Sequence, residues 1–195
     1  MIVTRLRATR SGRVAVEVDG KRWRTFPEEV VMRAGLAGGL ELERTTLRTL
    51  RRELRRHRAL TVATRALRAR PVSERRLDER LRRAGFVARE RAETLAILRR
   101  AGFLDDQRFA RARAELLAGR GGGDALIRHD LLEQGFDAET CEHALQGLEP
   151  EARRAARVAA SRGRSAAAAR YLARRGFGED AIDAAVGTDV VADEP

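Results

Sequence analysis

The sequence predicts a mainly α-helical protein: three tandem three-helix repeats in an elongated, curved array, preceded by a small N-terminal β-hairpin subdomain. Three observations carry that expectation. Leucines recur at helical spacing from residue 44 onward. The dipeptide Gly-Phe returns at 85-86, 135-136 and 176-177 with apolar residues at matching offsets around it. Alternating valines beside an Asp-Gly pair are confined to the first 26 residues. At 195 residues the chain can bury a core without disulfide or metal staples.

The first element is the hairpin. Val14, Val16 and Val18 alternate with Arg13, Ala15 and Glu17, and Asp19-Gly20 is a type I′ turn dipeptide leading into Lys21-Arg22-Trp23-Arg24-Thr25. Two-residue pairing sets Val18 opposite Lys21 and Val16 opposite Trp23, which puts the only tryptophan on the valine face. An isolated hairpin is marginal in water, so the segment MIVTRLRAT is expected to add a third strand. Pro27 and Gly35 then bracket a short helix.

From residue 44 the strand signals stop. Leu47, Leu50 and Leu54 form one stripe of a helix whose arginines fall mostly off it, and no glycine or proline interrupts 44–70; β-branched Thr61, Val62 and Thr64 mark a possible break. The Gly-Phe corners come next. Leu81, Leu131 or Leu172 stands four residues before each glycine, and Leu95, Leu145 or Val186 nine after each phenylalanine. Gly85, Gly135 and Gly176 are therefore expected to end one helix in a left-handed cap, with Phe86, Phe136 and Phe177 packed beneath the corner. Glu90, Glu139 or Glu179 sits near the positive end of the helix that follows. A further Gly-Phe at 102-103 reads as the exit from the first repeat's third helix. The expected divisions are 1–43 for the hairpin subdomain with its short helix, 44–104 for the basic helix and first repeat, 105–150 and 151–187 for the second and third repeats, and 188–195 for an acidic tail.

Charge is unevenly placed along this plan. Residues 44–91 hold 17 basic and 5 acidic side chains, a net of +12, whereas 92–177 mix 15 with 12 and 178–195 carry 6 acids and no base. Clustered guanidinium groups repel one another unless a polyanion or an acidic surface offsets them. Arg48, Arg51, Arg52 and Arg55 on one helix, with Arg75, Arg76, Arg80, Arg82 and Arg83 on the next, are the candidate basic surface for nucleic acid or an acidic protein. Aromatic residues are only 4% of the chain, too few for an extended base-stacking surface.

Chemistry finds little support. One cysteine, Cys141, and three dispersed histidines, His57, His129 and His143, cannot assemble a zinc-type cluster, and no nucleophile motif surrounds them. No metal, no cofactor and no catalytic residue is expected. Asp105-Asp106 reads as a capped helix start. Gly121-Gly122-Gly123 lacks the Lys-Ser/Thr that a phosphate loop requires, so Asp124 reads as a helix N-cap after a loop. The chain has no apolar run approaching the ~18 residues of a membrane span and no apolar leader at its start, so a cytoplasmic, monomeric protein with no membrane partner is expected.

The stretches RARPVSERRLDERLRRAGF (68–86), LAILRRAGFLDDQRFARARAELL (95–117) and IRHDLLEQGF (127–136) resemble the RecX family, regulators of the RecA recombinase. Arg70-Pro71, Ser73, Leu77, Leu81 and Gly85 match its first repeat; Gly102, Leu104, Asp105, Asp106, Phe109 and Ala110 match its repeat junction. VDGKRWRTFPEEVVMRAGLAGGLEL is similar to the hairpin and short helix that precede the family's repeats, so the likeness spans roughly residues 1–187. Three departures stand out: Glu133-Gln134 where the family commonly has a basic residue before the glycine, the glycine run at 121–123, and a third repeat that is short and full of alanine. The resemblance implies a non-enzymatic regulator that binds RecA filaments and inhibits their strand exchange and ATP hydrolysis. Single- and double-stranded DNA are further candidate partners. Two other readings remain open: a sequence-nonspecific DNA-binding protein independent of RecA, and a helical scaffold.

Overall fold

The computed structural model describes residues 1–69 and 72–187. Arg70-Pro71 of the family likeness and the acidic tail at 188–195 lie outside the described residues. The protein is mainly α-helical, with a small N-terminal three-stranded antiparallel sheet and ten helices among the described residues. The chain divides into two compact units, Met1–Arg68 with Leu81–Ala96, and Ala69–Arg80 with Ile97–Pro195.

In the first unit β1 (Val3–Thr9), β2 (Arg13–Val18) and β3 (Lys21–Pro27) run in the order β1-β2-β3. The hairpin turn needs two positive φ angles, and Asp19 at 50° and Gly20 at 75° supply them. Val18 pairs with Lys21, but Val16 pairs with Arg24 and not with Trp23. A register shift between Val16 and Glu17 is the cause: Trp23 is the extra residue of a bulge, which turns its indole without removing it from the core side. The ring lies 5.5 Å from that of Phe26. Val3, Val14, Val16, Val18 and Phe26 pack with Val30 and Val31 of α1 (Glu28–Arg33) and with Leu50 of α2 (Arg44–Ala69).

Helix α2 runs unbroken through its β-branched residues. The Thr61 and Thr64 hydroxyls donate to the carbonyls of His57 and Leu60, both at 2.8 Å, and so satisfy themselves on the helix's own backbone. Beyond Leu54 the buried stripe changes character, from leucine to Ala59, Ala63 and Ala66.

The remaining helices are α3 (Glu74–Arg83), α4 (Ala88–Arg100), α5 (Asp106–Gly119), α6 (Asp124–Glu133), α7 (Ala138–Gln146), α8 (Glu151–Arg162), α9 (Ala166–Arg174) and α10 (Glu179–Val186). With α2 they fall into three triplets. The helices α5 to α7 enclose Ile127, Leu131, Phe136 and Leu145, and α8 to α10 enclose Leu172, Phe177 and Ile182 among six alanines. The alanines let the last triplet's helices approach closely, which compensates in packing for their small apolar area.

Candidate interaction surface

Arg48, Arg51, Arg52 and Arg55 stand at i, i+3, i+4 and i+7 of α2 and share one exposed face. Leu47, Leu50 and Leu54 turn to the N-terminal core. Among the described residues Arg48 and Arg51 make no ion pair, so their charges stand open to a partner. Arg52 reaches Glu53 at 3.2 Å. Arg55 is committed inward: its guanidinium forms a two-pronged pair with Glu90, donates to the Gly85 carbonyl at 2.8 Å and stands 5.5 Å from the Phe86 ring centroid. That guanidinium holds the Glu90 carboxyl below its ordinary range. Arg55 therefore latches the first Gly-Phe corner.

On α3, Leu77 and Leu81 are fully buried, and Arg75, Arg80 and Arg82 are exposed without an ion pair among the described residues. Arg83 has partners within the protein. Arg76 reaches the carbonyl of Glu133 and, at 3.2 Å, the side-chain carbonyl of Gln134. Of the nine arginines singled out from sequence, five (Arg48, Arg51, Arg75, Arg80, Arg82) are without an ion pair among the described residues, and Arg55 and Arg76 hold the structure together.

The corners share one geometry. Gly85, Gly135 and Gly176 have φ of 81°, 87° and 79°, each just past a helix end. The Phe86, Phe136 and Phe177 amides donate to Leu81, Leu131 and Leu172, each at 3.2 Å, in the six-residue loop that closes a helix through a left-handed glycine. All three rings are buried. Gly102 has φ of 72° and Phe103 donates to Leu98 at 2.9 Å in the same way, yet Phe103 is 59% exposed.

Asp105 caps α5 by accepting from the Arg108 amide at 2.9 Å. Asp106 does something the sequence did not announce. It accepts from the Glu74 amide at 3.0 and 3.2 Å, capping α3 from the next repeat, and burial raises its carboxyl above the ordinary range. Beside it the Ser73 hydroxyl, fully buried, donates to the Gln134 carbonyl at 2.7 Å. Among the described residues no cluster of three or more His, Cys, Asp or Glu is arranged to hold a metal. Cys141 is buried, and burial raises its thiol, which keeps it protonated.

The glycine run has a structural purpose. Gly123, not Asp124, is the N-cap of α6, and its amide donates to the Arg175 carbonyl at 2.9 Å. A Cβ on Gly123 would run into the Gly176 carbonyl and the Phe177 nitrogen, so only glycine allows the two backbones to touch. Asp124 pairs with Arg154, and the Asp124 amide donates to Glu151 at 2.6 Å. Arg154 is 3% exposed and also donates to the carbonyls of Gly122 at 2.7 Å and Glu149 at 2.9 Å. Glu149, Glu151, Arg154 and Arg175 drew no notice in the sequence; nothing separates Arg154 there from the other arginines.

No protein-family model matches the chain. The chain is 33% identical over 152 residues to the "Regulatory protein RecX" of Deinococcus radiodurans, covering 73% of each. It is 38% identical over 95 residues to the protein of the same name from Syntrophotalea carbinolica, covering 48% of this chain and 61% of that one. Among solved structures, a crystal structure of a regulatory protein RecX superposes with a TM-score of 0.77 at 19% identity over 94% of this chain and 98% of its own. That of RecX from Lactobacillus salivarius gives 0.60 at 16% identity over 68% and 94%. The superpositions show a shared fold.

Proposed function

Given that the chain belongs to the RecX family of regulatory proteins, we propose that it binds filaments of the RecA recombinase and inhibits their strand exchange and ATP hydrolysis, without catalysing a reaction itself. The observation that supports this reading is that, among the described residues, Arg48, Arg51 and Arg82 of the first unit and Arg75 and Arg80 of the second have no ion pair. Solvated helix faces ordinarily mix charges, and a one-signed set is what an acidic protein surface or a bound polyanion complements. Tandem modules fit the proposal: weak contacts from several repeats to successive protomers multiply through effective concentration. The divisions 44–104, 105–150 and 151–187 serve as the working modules, acting in the cytoplasm as a monomer. Among the described residues no helix is long and apolar enough to cross a membrane.

The same free guanidiniums favour a second reading, DNA binding without RecA. Capture by RecA filaments assembled on single-stranded DNA, compared with naked DNA at matched salt, separates the two. Capture by filaments well above naked DNA, with suppressed ATP hydrolysis, is the expected outcome. Equal capture with undisturbed hydrolysis selects the DNA reading. Replacing Arg48, Arg51, Arg75, Arg80 and Arg82 by glutamine should weaken filament capture without lowering the melting temperature, because among the described residues none of them has an ion-pair partner to lose.

A further inference from the structure

Two clefts adjoin in the first unit where the sheet meets α2. The larger, about 510 Å³, has Arg13, Arg24 and Arg58 with Thr25 and Thr61 at its rim, and Phe26, Leu54, Val62 and Phe86 as its apolar lining. The smaller, about 370 Å³, is lined by Trp23, Arg24, Phe26, Arg51 and Leu54 together with Met1, Leu47 and Leu50. Arg24, Phe26 and Leu54 belong to both, so the clefts form one trough with Arg24 as its divider. No aspartate or glutamate lines either cleft among the described residues. Acids adjoining the lining are already engaged: Glu29 is held by Arg33 at 2.9 Å and faces His57 at 3.6 Å, and Glu90 is held by Arg55 at 2.8 Å.

Cations in a trough with no carboxylate call for an anion. Arg13 is aligned by donating to the Thr25 carbonyl at 3.0 Å, whereas Arg24, Arg51 and Arg58 have no partner among the described residues. Next to these charges lies a half-buried indole, Trp23, supported by Phe26 at 5.5 Å. A chain whose every unit joins one anionic group to one flat, weakly polar ring matches this alternation, and a single-stranded nucleic acid is such a chain. An acidic peptide would satisfy the rim but would bring no planar face to Trp23.

We propose that this trough is a binding site for single-stranded nucleic acid. Arg24 and Arg58 receive backbone phosphates, and a base lies against Trp23 in the smaller cleft. The inference stands apart from the recombinase reading, since filament capture can persist in a protein whose trough is disabled.

Trp23 is the only tryptophan, so the site carries its own reporter. Titration with a short oligothymidylate should quench the indole emission saturably, with an affinity that falls as salt rises. The double variant Arg24→Gln, Arg58→Gln should melt like the parent, because neither side chain has a partner among the described residues. Its slope of log affinity against log salt should be shallower by about 1.4, two single-strand phosphate contacts at ~0.7 each. An oligomer with an abasic unit should bind with reduced quenching, and Trp23→Leu should bind a labelled oligothymidylate more weakly than the parent. Unchanged emission at saturating oligomer overturns the proposal. So does an unchanged salt slope in the double variant, or equal quenching by a polyglutamate peptide, which would assign the trough to an acidic protein segment.

Discussion

The two places where one repeat meets the next within the second unit use the same device with different chemistry. At each, a carboxylate opening the later repeat caps the middle helix of the earlier one: Asp106 accepts from the Glu74 amide, Glu151 from the Asp124 amide. At each, the carbonyl before a corner glycine accepts from the residue that starts that helix: Gln134 from the Ser73 hydroxyl, Arg175 from the Gly123 amide. The difference lies in distance and charge. Ser73 keeps the corner at side-chain range, while Gly123 brings two backbones into contact. Three residues after the capping carboxylate, the first junction places Phe109 and the second a buried guanidinium, Arg154. The bridging arginine also changes sides, Arg76 reaching forward onto Gln134 and Arg175 reaching back onto Gly121 at 3.0 Å. One contact geometry is thus met by two unrelated residue sets, and the second tolerates less change.

The sharpest way to break that comparison is Arg154→Met. It strands two carbonyls and leaves Asp124, 32% exposed, without its guanidinium, and about 3 kcal/mol should be lost in urea unfolding. The aligned change at the first junction, Phe109→Met, should cost less than about 1.5 kcal/mol as a near volume-conserving swap of a partly buried ring. Similar losses from both would show that the guanidinium adds nothing beyond packing.

Alanine at the corner glycines grades the close approach. Gly85→Ala meets open space and pays only for its positive φ, about 1 kcal/mol. Gly176→Ala adds a collision, its Cβ falling 2.5 Å from the Leu126 nitrogen, and should cost roughly 2 to 3 kcal/mol or more. Equal melting temperatures for the two variants would remove backbone contact as the distinguishing feature.

At the first junction Ser73→Ala removes the buried hydrogen bond to Gln134 together with a 3.3 Å cap that the hydroxyl accepts from the Arg76 amide, and should cost about 1 kcal/mol more than Ser165→Ala, whose hydroxyl only caps its own helix at 3.3 Å. The smallest effect is pH-dependent. Arg113, at 2.7 and 2.9 Å, holds the Asp130 carboxyl below its ordinary range within the second repeat. Its contribution is full above the unfolded carboxyl value and is lost as pH falls through the depressed folded value. Asp130→Asn should therefore flatten the acid limb of the stability profile while costing under about 1 kcal/mol at neutral pH.

Which features were readable in advance follows from how local their causes are. The corner glycines, the Asp-Gly turn and the leucine stripes depend on backbone preferences and on spacing within a few residues, so Gly85, Gly135, Gly176 and Asp19-Gly20 stood out from their neighbours alone. The third strand and the helix triplets follow from the need to bury one apolar face of each element. The family likeness was also readable, because junction residues such as Asp105, Asp106 and Phe109 recur as a pattern.

Charge and contact were not readable in this way. An arginine in a sequence shows its charge but not its partner. Arg55 and Arg76 counted there as surface cations, and only the fold turned them onto Glu90, Gly85 and Gln134. Arg24 read only as a strand residue and Arg58 only as one of a helix's many arginines, and only the packing of the sheet against α2 set both on the lining of a cleft. The bulge that moved Val16 opposite Arg24, and the Gly123 to Gly176 contact, arise between segments that sequence spacing does not relate. Periodicity and capping act over one or two turns of chain and are written locally, whereas an ion pair or a backbone contact spanning 50 residues exists only once the chain has folded.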